Sequence, residues 1–316
     1  MPVSADAPLA FCFPGQGSQA VGMGRAFHDA SPAARVVFEE AGAALGFDIA
    51  KLCFEGPESE LQLTANTQPA VLTVSVAGAR LLAERGVVPA VVGGHSLGEY
   101  TALVVAGALR FADAVGIVRR RGEFMQEAVP VGTGAMAAIL GLELPVVEEI
   151  CREAAQGEVV DVANINSPGQ IVVAGHRTAI ERAVALAAAR GGKRSVLLPV
   201  SAPFHCRLMA PAAEQLAGVI GQVPTADPRQ PVVRNVDAGL TTRAEDVRPF
   251  LIRQVTAPVR WTDCVGRMAQ EGCRTFLEVG PGKVLTGLLK RIDGTLTGVA
   301  VEDAAGLDKA LAARGA

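Results

Sequence analysis

One turn constrains this chain more than any other stretch: Gly94-His95-Ser96-Leu97-Gly98-Glu99-Tyr100. It follows an apolar, β-branched run, Val87-Val88-Pro89-Ala90-Val91-Val92, and leads into a helix-forming stretch, Thr101-Ala102-Leu103-Val104-Val105-Ala106. A strand that turns through a serine into a helix is the G-x-S-x-G nucleophile elbow. The serine takes a strained backbone so that its hydroxyl stands above the sheet, and flanking glycines let strand and helix approach closely. The helix beginning just after Ser96 aims its amide N–H groups at any anion formed there.

The rest of the chain agrees with an α/β fold. A short strand, Leu9–Phe13, breaks at Pro14-Gly15 into the loop Gln16-Gly17-Ser18-Gln19. Helical patterns follow over 31–45 and 68–85, then the strand and elbow over 87–98, a helix to about 107, and an amphipathic helix over 111–128. This alternation predicts a parallel sheet covered on both faces. At Pro130-Val131-Gly132-Thr133-Gly134 the character changes. The next segment reads strand (135–140), helix (146–156), strand (159–164), strand (170–175), helix (178–190), strand (195–199). That order, βαββαβ, is the ferredoxin-like split motif. The expected organisation is a large α/β-hydrolase-like domain, residues 1–129 and 200–316, with an inserted small ferredoxin-like subdomain, residues 130–199. Later strands of the large domain are expected at Val232–Val236 and Thr275–Val279.

Composition excludes several classes of function. Half of the 316 residues are hydrophobic and 19% are charged, which suits a globular chain with a sizeable core. The net charge of −3 argues against general affinity for nucleic acid, which wants a basic face, and leaves room for a local basic patch that serves an anionic cofactor or an acidic partner protein. The six cysteines are scattered singly without a C-x-x-C pair, and the four histidines form no ligand-spaced cluster, so reduced thiols and no metal are expected. Met1-Pro2-Val3-Ser4-Ala5-Asp6 shows no basic region ahead of an apolar core, and no uncharged apolar run reaches the ~18 residues of a membrane span. A cytoplasmic protein without a membrane partner is the expectation.

A serine hydroxyl needs a base to take its proton. His205, in Val200-Ser201-Ala202-Pro203-Phe204-His205-Cys206, lies where the small subdomain returns to the large one, a favoured place for catalytic groups. His28 falls in a polar helical stretch and His176 in the insert, while His95, next to Ser96 on extended chain, points the other way and is expected to prop the elbow. Asp161, Asp237 and Glu278 lie near strand ends, but no motif marks any of them as a third member. A backbone carbonyl can fix a histidine tautomer equally well, so a Ser–His dyad is expected. Along 111–128, Phe111, Ala114, Val118, Arg121, Gly122 and Met125 share one helical stripe, with Arg119 and Arg120 off it. An arginine on a buried stripe needs an anion. Glu123 or Glu127 could supply it internally; otherwise Arg121 is free to clamp a substrate carboxylate with two parallel hydrogen bonds.

These blocks, together with Phe13-Pro14-Gly15-Gln16-Gly17-Ser18-Gln19, Asn164-Ile165-Asn166-Ser167-Pro168-Gly169-Gln170 and Glu278-Val279-Gly280-Pro281-Gly282, resemble the malonyl-CoA:acyl carrier protein transacylase family nearly end to end. The resemblance implies that Ser96 is malonylated and that His205 is its base. It implies that Arg121 binds the malonyl carboxylate and that the amides of Gln16 and Leu97 form the oxyanion hole. Gln254 would orient His205 through its main-chain carbonyl and, with Phe204, belong to the substrate-binding group; His95 and Asn166 would support the site. It further implies ping-pong transfer from malonyl-CoA to the phosphopantetheine thiol of holo-acyl carrier protein, with no cofactor; a monomer is a separate expectation that the sequence does not carry. The neighbouring readings are a trans-acting acyltransferase of a polyketide synthase, differing only in acceptor, and a serine esterase or thioesterase, in which Arg121 has no task.

Overall fold

The computed structural model describes residues 8–315. Residues 1–6, read above for a targeting signal, lie outside the described residues. The described chain forms strands β1 (Leu9–Phe13), β2 (Val91–Gly94), β3 (Gly134–Leu140), β4 (Val160–Ser167), β5 (Gln170–His176), β6 (Arg194–Leu197), β7 (Val232–Val233), β8 (Leu240–Thr241), β9 (Thr275–Val279) and β10 (Thr297–Val301).

Six of these make one sheet in the order β10-β9-β1-β2-β7-β8. Every neighbouring pair is parallel except β7 and β8. Strand β1 shows why its sequence is an unbroken apolar run rather than an alternating one. Leu9, Phe11 and Phe13 pack into the core on one side, whereas Ala10 and Cys12 pack with Trp261, Met268 and Phe276 on the other. A central parallel strand is buried on both faces.

The remaining strands form a four-stranded antiparallel sheet, β4-β5-β3-β6. Helix 144–155 lies between β3 and β4, and helix 177–189 between β5 and β6, giving the βαββαβ order. Both helices cover one face through Val147, Ile150, Ile180 and Ala183, which meet Ile139 and Ile171 of the sheet. The α/β class with a separate split-motif sheet is therefore as expected. Val259, just ahead of helix 261–270, makes an isolated bridge to β4 of the smaller sheet: its N–H donates to Ala163 O at 2.9 Å and its carbonyl accepts from Ile165 N at 2.8 Å. Among the described residues no helix is long and apolar enough to cross a membrane.

Three local expectations are corrected. The strand expected over 87–92 begins only at Val91, because Val87 N donates back to Leu82 O of the preceding helix and Pro89 has no N–H to give. The strand expected over 232–236 stops at Val233, where Arg234 N turns to donate to Gly239 O. The helix expected over 68–85 starts at Thr64 and takes Pro69 inside it. The Ala65 carbonyl, which Pro69 cannot serve, accepts instead from Arg119 Nη1 at 3.2 Å.

Candidate active site

Ser96 sits between the end of β2 and helix 97–105 with φ 52° and ψ −106°, a left-handed backbone rarely held by a side-chain-bearing residue. The flanking glycines are required by close approach. A Cβ on Gly94 would lie 2.0 Å from the Gly98 carbonyl, and one on Gly98 would lie 2.1 Å from Phe13 O. The turn is thus wedged between β2, its own helix and the end of β1.

His205 reaches this turn from the loop after β6, itself with φ 60°. Ser96 Oγ lies 2.7 Å from His205 Nε2, and His205 Nδ1 lies 2.9 Å from the Gln254 carbonyl. A carbonyl only accepts, so Nδ1 carries the proton and Nε2 is left to accept from the serine. Burial, followed by the Arg121 charge, pushes the His205 imidazole down to about 3. It is therefore neutral at physiological pH. The three acids weighed from sequence are engaged elsewhere: Asp161 with Arg207, Asp237 with Arg234, and Glu278 at the amides of Leu285 and Thr286.

Arg121 is 2% exposed. Its Nη1 donates to Gln68 Oε1 at 2.8 Å, and its Nη2 donates to Gln254 Oε1 at 3.0 Å and Ser96 Oγ at 3.1 Å. The guanidinium also lies over the Tyr100 ring, 5.4 Å from its centroid. All of these partners are neutral. Glu123 is taken by Arg119 and Arg120, and neither it nor Glu127 pairs with Arg121 among the described residues. Burial lowers the affinity of Arg121 for its proton, with Tyr100 and Glu99 opposing. A buried cation with neutral ligands is an anion site awaiting its anion.

A cavity of ≈ 840 Å³ opens over these groups, lined by Ser96, His205, Arg121, Gln16, Leu97 and Phe204 among others. Among the described residues neither the Gln16 nor the Leu97 amide donates to a protein oxygen. The Gln16 side chain instead donates to Thr64 Oγ1 at 3.2 Å. Gln254, grouped with the substrate-binding residues on sequence, does not line the cavity; it is fully buried behind the wall. His95 points away from Ser96: its Nε2 lies 2.9 Å from Asn166 Oδ1 and its ring 5.8 Å from that of Trp261. Burial lowers the His95 pKa, so this ring is neutral too. His28 lies at the surface beside Asp29, and His176 Nδ1 accepts from Val159 N, both away from the cavity.

Sequence reasoning missed Asn235, Glu99 and Gln68. Asn235 Oδ1 accepts from Ser96 N at 2.7 Å, and Glu99 Oε2 accepts from Gln254 Nε2 at 2.7 Å and Asn235 N at 3.1 Å. Burial pushes the Glu99 carboxyl up to about 7. Glu99 stands inside the elbow motif, so its position was a signal; nothing local marks Asn235 or Gln68.

The fold and this site define an acyl transferase, and residues 10–309 match the family described as the acyl transferase domain. The chain is 52% identical over 304 residues to the malonyl CoA-acyl carrier protein transacylase of Escherichia coli (strain K12), covering 96% of this chain and 98% of that protein. It superposes with a TM-score of 0.94, at 49% identity, on the acyl carrier protein S-malonyltransferase of Vibrio cholerae, covering 96% of this chain and 99% of that one. It also superposes at 0.94, with 48% identity and 97% and 99% coverage, on a malonyl-transacylase solved in complex with its type II polyketide synthase acyl carrier protein. The chain belongs to the malonyl CoA-acyl carrier protein transacylase family.

Proposed function

We propose that Ser96 carries a malonyl group from malonyl-CoA to the phosphopantetheine thiol of an acyl carrier protein. The observation that carries this reading is a buried guanidinium with no carboxylate of its own, 3.1 Å from a serine oxygen already bonded to a neutral histidine. His205 Nε2 takes the Ser96 proton as Oγ attacks the thioester carbonyl. The amides of Gln16 and Leu97, at the cavity wall, are the donors for the resulting oxyanion. Collapse of the tetrahedral intermediate breaks the C–S bond, and His205 returns the proton to the departing CoA sulfur. The carrier thiol then attacks the malonyl-serine ester, His205 takes the thiol proton, and Ser96 Oγ recovers it as the ester breaks. The cycle moves an acyl group and protons but no electrons, so it is redox-neutral.

Arg121 gives the transfer its acid selectivity, since a malonyl group presents a free carboxylate that an acetyl group lacks. Phe204, in the same wall next to His205, crowds the space beside the α-carbon and disfavours branched extenders. His95 and Asn166 brace the elbow against the smaller sheet. A relative of similar structure is solved in complex with a type II polyketide synthase acyl carrier protein, and the chemistry at Ser96 is the same for either carrier. The six free, buried cysteines suit a reducing cytoplasm.

Intact-mass analysis after mixing with malonyl-CoA tests the reading directly. The wild type should gain one malonyl group, and holo-acyl carrier protein should discharge it. The same adduct on Ser96→Ala would place the nucleophile elsewhere.

A further inference from the structure

We infer that Asn235 is a positioning residue for the nucleophile, its side-chain amide standing in for a peptide group that the neighbouring strand does not supply. The pairing of β2 with β7 ends at Gly93 with Val233. Beyond that point β7 turns away, and the next two backbone groups on that edge of the elbow are Gly94 O and Ser96 N. Asn235 Nδ2 donates to the first at 2.7 Å and Asn235 Oδ1 accepts from the second at 2.7 Å. A carboxamide offers one donor side and one acceptor side, as a peptide does, so it continues the ladder by side chain alone.

The residue is itself pinned. Asn235 is fully buried, its own N–H donates to Glu99 Oε2 at 3.1 Å, and Gln254 Nε2 approaches its Oδ1 at 3.4 Å. Glu99 therefore anchors both Asn235, which holds the serine backbone, and Gln254, which holds His205 and Arg121. A left-handed serine persists only where its surroundings over-determine it: the two Asn235 hydrogen bonds fix the chain entering Ser96, and Gln254 Nε2 donates to the Ser96 carbonyl at 3.0 Å on the side leaving it. The role rests on the reading of Ser96 as the acylated residue and assigns Asn235 no contact with substrate.

Asn235→Asp tests it, because the replacement is isosteric and its protonation is adjustable. An ionised Asp at this position accepts from Ser96 N but repels Gly94 O; a protonated one can donate to Gly94 O as the amide does. The groups facing position 235 are Glu99 on helix 97–105, Gln254 on helix 244–254, Cys264 on helix 261–270, the preceding Arg234 and Ser96 of the elbow, with the Arg121 charge acting on Glu99 from behind. Of these Glu99 is the acid, and its proximity favours protonation of a second carboxyl. Single-turnover formation of malonyl-Ser96 is measured by quenched intact mass at pH 8 and pH 5.5.

Relative to wild type, the variant should be slower on the order of tenfold to a hundredfold at pH 8, the cost of one buried group left without its partner. It should regain several-fold at pH 5.5. A merely structural lesion would leave that ratio unchanged with pH, so an unchanged ratio, or wild-type loading at both pH values, overturns the inference. Should Asn235→Asp fail to fold at pH 8, Asn235→Ser, which adds neither charge nor bulk, carries the test: loading at the wild-type rate overturns it and a tenfold or greater loss in a folded protein supports it. Ser96→Ala runs alongside, since malonyl loading on that variant sinks the reading of Ser96 rather than the role of Asn235.

Discussion

Arg121→Ala is the perturbation that separates a dicarboxylate transferase from a general acyl enzyme. The side chain is 2% exposed and its three hydrogen-bond partners, Gln68, Gln254 and Ser96, are all neutral. A malonyl carboxylate entering the cavity therefore meets a desolvated cation that no carboxylate of the described residues hydrogen-bonds; Glu99 acts on it only through space, and burial pushes that carboxyl up to about 7. A charge-assisted pair of this kind is worth about 2–4 kcal/mol. Its loss should lower kcat/KM for malonyl-CoA by roughly thirty- to a thousandfold. Acetyl-CoA offers the guanidinium nothing, so acetyl transfer should fall far less. Removing the charge also lifts the depression that Arg121 imposes on His205, which offsets part of any loss in acetyl transfer. The assay is parallel intact-mass loading with malonyl-CoA and acetyl-CoA, followed by discharge to holo-acyl carrier protein. Arg121→Lys should recover only part of the selectivity, since an ammonium lacks the planar fork. Equal loss toward both substrates in a folded Arg121→Ala protein would refute the clamp and leave Arg121 as a structural cation.

Replacing His205 with Ala should slow acylation roughly a hundred- to ten-thousandfold, the usual contribution of a positioned base, and rapid-quench loading that stays near wild type would move the base elsewhere. Because burial and Arg121 hold His205 down to about 3, acylation by the wild type should show no falling limb near pH 6.5 as the pH is lowered from 8 to 5; such a limb in the single-turnover rate would contradict the buried, neutral imidazole. His205 and Glu99 pull stability in opposite directions. His205, depressed from an ordinary 6.5, costs stability as pH falls below 6.5, whereas Glu99, raised from 4.5 to about 7, costs stability as pH rises from 4.5 through 7. Glu99→Gln removes the second effect alone, so the Tm of the variant minus that of wild type should climb between pH 5 and pH 8; a difference that falls over this range has the wrong sign. Gly98→Ala would force a Cβ to 2.1 Å from Phe13 O, and urea unfolding should show a loss of about 3 kcal/mol or a failure to fold. A change within 0.5 kcal/mol, taken as roughly the range of a neutral surface substitution, would contradict that wedge.

What the sequence made legible follows the range over which each constraint acts. The elbow is local: two glycines, a serine and the strand and helix around it lie within one short stretch, and the 2.0 and 2.1 Å approaches at Gly94 and Gly98 are what that pattern encodes. The buried stripe carrying Arg121 was legible for the same reason, since helical periodicity is set by neighbours three and four apart. Strand ends were less so. Whether Val87 belongs to β2 depends on a hydrogen bond to Leu82, and whether β7 continues past Val233 depends on Gly239, neither of which an apolar run reveals. The polar layer behind the site was the least legible part. Gln254 was placed by family resemblance through its carbonyl, yet its side chain bonds Arg121, Glu99 and the Ser96 carbonyl together. Asn235 meets the elbow from far along the chain, and an asparagine among Arg234, Val236 and Asp237 carries no periodicity to betray it. Catalytic groups announce themselves because chemistry restricts which residue types can serve. The groups that hold them need only the right donor and acceptor at the right place, and many sequences can supply that. On the proposed function the labour divides: the elbow and its stripe specify which reaction is possible, while Glu99, Asn235 and Gln254, hydrogen-bonded to one another behind the elbow, would set where the reacting atoms stand.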